Sequence, residues 1–312
     1  AVAADTVHVH RAAFLWRGTL YLRFRVHNFA LHRVEVPLRL RFGADFVDIF
    51  EVRGIRRARR GDVLDPELGE DTVMLRYAGL DGRLRRTRLR FGGVVPALSR
   101  DTADYRLTLE PKADVVLSLT VSCQPEDGPA PAVVSWEAAS NAAAERARTS
   151  LARRAHLYSS NEQVNDWLNR SAADFQMMLT ETPHGPYPYA GIPWYSTVFG
   201  RDGIISAFET LWLDGAPARG VLQLLAATQA RDEDASRDAE PGKIVHEMRR
   251  GEMAALREIP FGRYYGTVDA TPLFSVLAGA YWERTGDRAF IERLWQHKRA
   301  PQEWLDSVGD VD

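Results

Sequence analysis

Two short segments carry side chains that could do chemistry together. Phe199-Gly200-Arg201-Asp202-Gly203 and Tyr264-Tyr265-Gly266-Thr267-Val268-Asp269-Ala270-Thr271-Pro272 each end an aromatic, glycine-bearing loop with a carboxylate at a helix entrance. Free backbone N–H groups and the macrodipole at a helix start favour an ionised Asp202. An ionised aspartate accepts from two hydroxyls, the neighbouring Arg201 donates in a fixed fork, and flat aromatic rings cover the apolar C–H face of a sugar. The approach Tyr187-Pro188-Tyr189-Ala190-Gly191-Ile192-Pro193-Trp194-Tyr195 supplies such rings, Trp194 and Tyr195 nearest the helix. If both loops open on one face, the chemistry is carbohydrate recognition, lined by Tyr264 and Tyr265, with Asp269 as a carboxyl group able to give up a proton. The competing reading is structural: Asp202 and Asp269 are ordinary helix caps.

The two roles of Asp269 conflict, because a capping carboxylate has a lowered pKa and a general acid needs a raised one. The pattern Val268-Asp269-Ala270-Thr271-Pro272 alone favours a cap, with proline in the first helical turn. The roles become compatible if Thr271 is the true cap and Asp269 sits one turn earlier, among Tyr264, Tyr265 and Phe274 and near a second carboxylate that discourages its ionisation. His246-Glu247-Met248-Arg249-Arg250 has arginine where a zinc-protease helix needs its second histidine, so His246 and Glu247 read as a substrate-contacting pair. Neither a metal nor a cofactor is expected. No Gly-rich phosphate loop and no Gly-x-Ser-x-Gly elbow occurs, which disfavours nucleotide enzymes and serine hydrolases. Arg53, Arg56, Arg57, Arg59 and Arg60 are flanked by Glu51, Asp62 and Asp65 and read as a solvated loop, and the sequon Asn169-Arg170-Ser171 falls inside a predicted helix. The acidic spacing of Asp306, Asp310 and Asp312 is faintly like a calcium loop.

Forty basic against forty-two acidic residues give a net charge of −2, so no global field attracts nucleic acid or an anionic membrane. The expected partner is an uncharged oligosaccharide or small glucoside. With 312 residues, 45% of them hydrophobic, the chain has room for about two domains. The single cysteine, Cys123, excludes an intrachain disulfide and reads as a buried thiol on a strand. No apolar run approaches the ~20 residues of a membrane helix, and the chain opens without a basic leader, so a cytoplasmic location is expected.

The elements that must position the two loops change character along the chain. Over 14–136 the apolar period is two: Leu20, Leu22, Phe24 and Val26 alternate with Tyr21, Arg23 and Arg25, as in half-buried antiparallel strands. Asp81-Gly82 reads as a type I′ hairpin turn between 73–77 and 87–91. An N-terminal β-sandwich over 1–137 is predicted, then a connecting helix within 138–157. From 158 to 312 the spacing is helical, predicting helices over 161–179, 203–213, 217–229, 271–284 and 287–297 and a second half that is all α. The connections at 213–217 and 284–287 pair a glycine stop with a new helix start, Asp287 being the N-cap of the second. Segment 230–262 is far longer than a usual loop, and its aromatic end argues for function.

Three ordered blocks, 188–203, 240–252 and 261–274, look like the corresponding segments of the bacterial amylo-alpha-1,6-glucosidases, the glycogen-debranching-type family of six-hairpin glycosidases. Ala44-Asp45-Phe46-Val47-Asp48-Ile49-Phe50-Glu51-Val52-Arg53-Gly54 is similar to that family's N-terminal β domain. The resemblance implies a β-sandwich followed by part of an (α/α)6 toroid that hydrolyses α-glucosidic bonds with inversion. It implies that Arg201 and Asp202 hold the non-reducing-end glucose and that Asp269 is the general acid, against the cap favoured by pattern alone. A toroid of about twelve helices needs more residues than follow the connecting helix, so a truncated chain is expected. The general base would then lie beyond residue 312, leaving this fragment inactive with an apolar helix edge exposed. Two alternatives stay open: a hydrolase of a small α-glucoside such as glucosylglycerate or trehalose, and a noncatalytic carbohydrate-binding or scaffold protein.

Overall fold

The computed structural model describes residues 4–124 and 131–308. The chain forms two compact units, Ala1–Arg146 and Ala147–Asp312.

The first unit holds the strands β1 (Val7–Trp16), β2 (Thr19–Asn28), β3 (Val34–Arg41), β4 (Asp62–Leu68), β5 (Thr72–Ala78), β6 (Leu84–Gly92), β7 (Ala97–Leu98), β8 (Thr102–Leu109) and β9 (Asp114–Gln124), with one short helix, α1 (Ile49–Val52), between β3 and β4 in the chain. They make a six-stranded sheet, ordered β1-β2-β9-β6-β5-β4, and a three-stranded sheet, β3-β8-β7. Alternation sends Leu22, Phe24 and Val26 of β2 inward, against Leu117, Phe91 and Leu107. Fully burying a residue of this kind stabilises by roughly 1.5–3 kcal/mol, which is what holds each strand to its register. Buried Asn28 ties the sheets together, its amide donating to the Leu109 and Glu110 carbonyls and its oxygen accepting from Ala30 N.

Two expectations change here. Cys123 is exposed, because at the end of β9 its side of the sheet runs past the core and the neighbouring Ser122 is the buried residue. The β5–β6 turn is a longer loop than a type I′ turn, closed by Gly79 N to Arg83 O, with Gly82 in the left-handed region at φ 76° and no positive φ at Asp81. The connecting helix is α2 (Trp136–Ala152), and the two units divide within it, after Arg146. Trp136 packs edge-on against Phe14, Arg23 lies over its indole, and Arg23 also binds Glu137.

The second unit is helical but not all α. Helix α3 (Glu162–Met178), capped by Asn161, runs into a hairpin of β10 (Leu179–Thr182) and β11 (Gly185–Pro188). A ribbon of β12 (Val198–Phe199) and β13 (Glu247–Met248) precedes and follows α4 (Gly200–Glu209) and α5 (Gly215–Thr228). Then come α6 (Glu252–Ala255), α7 (Ala270–Thr285) and α8 (Arg288–Val308). Helix α5 is the centre: Ala218, Val221, Leu222, Leu224 and Leu225 are buried on all sides, and α4, α7 and β11 pack on it. Gly220 lets β11 approach, since a Cβ there would collide with the Pro186 carbonyl. Asp214 caps α5, so Gly215 opens that helix and does not end α4, and Gly286 closes α7 at φ 66°. Trp282, Ile291 and Trp295 line an apolar groove between α7 and α8 that stays open to solvent.

Segment 230–262 is ordered despite its composition. Ala239, Ile244, Val245, Met253 and Ile259 are buried, and its backbone is pinned by Gly200 N to His246 O, His246 N to Tyr264 O and Arg249 N to Phe261 O. It is a packed excursion that supports both candidate loops.

Candidate functional site

Helix α4 starts without a side-chain cap at Phe199. Its first N–H, from Gly200, goes to the His246 carbonyl at 2.9 Å, and a Cβ at Gly200 would strike the Val245 carbonyl oxygen. Glycine is therefore what lets segment 244–247 lie against the start of α4. This contact begins the helix at 200 and places Arg201 and Asp202 in its first turn, three residues earlier than the apolar spacing predicts.

Asp269 occupies the N-cap position of α7 yet its side chain accepts no hydrogen bond from the helix. Its carboxylate faces Arg201, with Nη1 to Oδ2 at 3.1 Å, and its other oxygen accepts from the Thr267 hydroxyl. Two residues 68 positions apart are thus brought into direct contact at adjoining helix starts. The cap role expected of Thr271 is not observed: Thr271 lies fully buried inside α7 and its hydroxyl accepts from Ile244 N, fastening the long segment to the helix. Burial pushes the Asp269 carboxyl up, but the Thr267 hydroxyl and the Arg201 guanidinium together hold it below the usual carboxylate range. The neighbours that favour its ionised form are a hydroxyl and a cation, whereas the sequence reading expects a second carboxylate that discourages it. Arg201 is raised in turn by its bond to Asp269.

The aromatic residues sort into two sets. Tyr195, Phe199, His246, Tyr264 and Phe261 form a continuous edge-to-face run, with ring centroids 5.3–6.0 Å apart. Tyr264 lies across Gly266, where a Cβ would meet its hydroxyl, and a hydrogen bond to Asp238 raises that hydroxyl's pKa. The indole of Trp194 sits under the Arg249 guanidinium at 4.6 Å, and Arg249 donates to the Trp194 carbonyl and pairs with buried Glu247. Glu247 thus orients Arg249 and, through it, Trp194. The His246 Nδ1 is buried without a hydrogen-bond partner. Tyr265 belongs to the core: it is 3% exposed, and its hydroxyl donates to the Thr228 carbonyl at 2.7 Å. Tyr187 is likewise fully buried, bonded to the Phe199 carbonyl; of the aromatic rings of this approach Tyr195 is exposed and Tyr189 and Trp194 are half-buried.

Sequence reasoning passed over Thr267 and Arg249. The hydroxyl two residues before Asp269 was the available signal for the first; nothing local marks the second. Among the described residues no group of histidine, cysteine, aspartate and glutamate could hold a metal ion, and residues 309–312 of the acidic run lie outside them. No helix among the described residues is long and apolar enough to cross a membrane.

A solved structure of a putative kojibiose phosphorylase from human microbiome shares this fold, with a TM-score of 0.50 and 9% identity over 91% of this chain. The chain spans 40% of that protein's length. A polysaccharide lyase gives a TM-score of 0.27 at 12% identity over 41% of this chain and 21% of its own, too slight a likeness to build on. No curated protein matches the sequence. An antiparallel β domain followed by helices is accordingly the fold this chain shares with that putative phosphorylase. More particularly, residues 1–120 match the model of a family described as the N-terminal domain of (some) glycogen debranching enzymes.

Proposed function

We propose that the protein is an inverting glycoside hydrolase acting on α-glucosidic bonds, foremost the α-1,6 branch points of glycogen-like oligosaccharides. Asp269 is its general acid, Arg201 and Asp202 grip the terminal glucose, and Trp194, Tyr195 and Tyr264 present aromatic surface to it. The observation that carries this reading is Asp269 itself, a residue at an N-cap position whose carboxylate leaves the helix uncapped and turns to Arg201. The debranching-type N-terminal family supports the substrate class.

In the ligand-free state Asp269 is ionised at neutral pH, since its carboxyl is held low. A sugar hydroxyl that takes over the Arg201 fork removes that stabilisation, and the ring shields the carboxylate from water, so both changes favour a proton on Asp269. The proton passes to the glycosidic oxygen as the C–O bond breaks, and a second carboxylate about 6.5–9.5 Å away activates water on the opposite face. We place that base in sequence beyond these 312 residues, so the chain alone gives no turnover. The alkaline limb of kcat/KM, which reports the free enzyme, then lies at lower pH than that of kcat. Hydrolysis of branched dextrins and small α-glucosides by the whole protein tests the reading; full activity in Asp269→Asn contradicts it.

Two observations favour other readings. The ordered 230–262 segment, fastened to both loops, suits a hydrolase of a small glucoside of the glucosylglycerate or trehalose type. The lowered Asp269 carboxyl suits a noncatalytic carbohydrate-binding protein, which needs no proton donor. The substrate panel separates all three.

A further inference from the structure

The outer face of the six-stranded sheet is divided in two. Near Tyr21 it is covered by Phe14 and Trp136. At the other end, His8 and His10 of β1, Arg25 and His27 of β2, Asp114 of β9 and the adjacent Phe29 line an open concavity of about 460 Å³, within the range of small-ligand sites. Register makes this a built arrangement: His8 stands opposite His27, His27 opposite Asp114, and His10 opposite Arg25. Three of the chain's eight histidines gather here, so their placement differs from a scatter of surface imidazoles.

The polar groups are fixed in orientation. Asp114 spans two partners, with Arg25 Nη2 at 2.5 Å on one oxygen and His27 Nδ1 at 2.7 Å on the other. An Nδ1–H given to the carboxylate leaves His27 Nε2 as an acceptor, while Arg25 keeps donors beyond the one that Asp114 uses. His8 and His10 are exposed and, when neutral, each offers one donor and one acceptor. Phe29 is 52% exposed and is steadied by edge contacts to His27 at 4.2 Å and His8 at 6.4 Å.

This chemistry selects a class of ligand. The guanidinium is the cavity's permanent cation and Asp114 neutralises it, so a highly charged anion finds little net attraction. The donors here do not form a group able to hold a metal ion. What remains is a neutral polyol with an apolar face, which uses mixed donors and acceptors beside an aromatic ring. We infer that this face of the β-sandwich is a second saccharide-binding site, taking glucose units of an α-glucan chain and rests, as to substrate, on the proposed function. Such a site raises the effective concentration of a polymeric substrate and gives a single small glucoside no such advantage.

The test is binding of maltoheptaose to the 312-residue chain, read as NMR shifts of the histidine ring signals and as retardation in glycogen-containing native gels. Phe29→Ala with His10→Ala is expected to weaken glucan binding about tenfold, the loss of one aromatic and one polar contact, with circular dichroism and Tm unchanged. His10→Ala alone, at an exposed position, serves if the double variant fails to fold. Asp269→Asn is expected to keep these shifts and the gel retardation. Wild-type affinity in the folded Phe29/His10 variant, maltoheptaose shifts absent from His8, His10 and His27, or equal shifts with inorganic phosphate would each overturn the inference. Loss of turnover on small glucosides in Asp269→Asn of the whole protein bears only on the proposed function and is independent of these outcomes.

Discussion

Helix α7 has an arginine–aspartate pair at each end, and the two differ in how the aspartate meets the backbone of the helix it precedes. At its start Arg201 meets Asp269, and beyond its end Arg219 meets Asp287, each pair bridging 68 residues. The helix has 16 residues, so the pairs lie about 24 Å apart along it. Asp287 accepts from Phe290 N at 3.1 Å and so caps α8, while Tyr281 also reaches it and the Arg219 guanidinium lies over the Phe290 ring. Asp269 makes no such bond to its helix and is 38% exposed. Burial raises both carboxyls, and hydrogen bonds and the arginine bring both below the usual range. Capping of the following helix, then, and not charge pairing, is what distinguishes the two aspartates.

The sharpest way to break this contrast is kinetic. In the whole protein, Asp269→Asn is expected to lower kcat by about 10²–10⁴-fold, the usual worth of a general acid, with Tm nearly unchanged; Asp287→Asn is expected to do the reverse, lowering Tm and sparing kcat. Next in size, Gly200→Ala forces the Val245 carbonyl away from α4, an overpacking that costs about 1–3 kcal/mol. Urea denaturation measures it, and an unchanged midpoint would show that the start of α4 can shift freely. A smaller effect is expected from Thr267→Ala, which removes one of the bonds holding Asp269 low. The alkaline limb of kcat/KM should move to higher pH while the limb of kcat moves less.

The smallest is a pH effect on stability. Both aspartates have depressed folded-state pKa values, so the stability they contribute is present above the unfolded carboxylate value of about 3.9 and is lost as pH falls through the folded values. Arg201→Gln should reduce that acid-side loss by returning Asp269 toward its unfolded value. Acid titration of Tm on the two proteins checks the sign.

The same contrast shows what the sequence could reveal. Asp287 was legible as a cap because capping is local, a carboxylate three residues from the N–H it accepts. The first turn of α4 and the start of α7 were legible to within a few residues for the same reason. That Asp269 is uncapped was not, since it depends on Arg201 arriving from a distant helix. Tyr264 and Tyr265 are neighbours with opposite fates, one on the aromatic run and the other in the core, and only the path of 230–262 decides which. The β10–β11 hairpin and β12–β13 ribbon escaped notice because strands of two to four residues leave no periodicity to read. Cys123 misled because alternation continues past the edge of the core that gives it meaning.

The most direct test of the central claim is the structure of the whole protein with a glucose-like inhibitor bound. The account predicts Arg201 and Asp202 bonded to hydroxyls of one ring, with Asp269 parted from Arg201 and within hydrogen-bond reach of the glycosidic position. A bound ring that leaves the Arg201–Asp269 pair intact, or that sits away from the starts of α4 and α7, would contradict it.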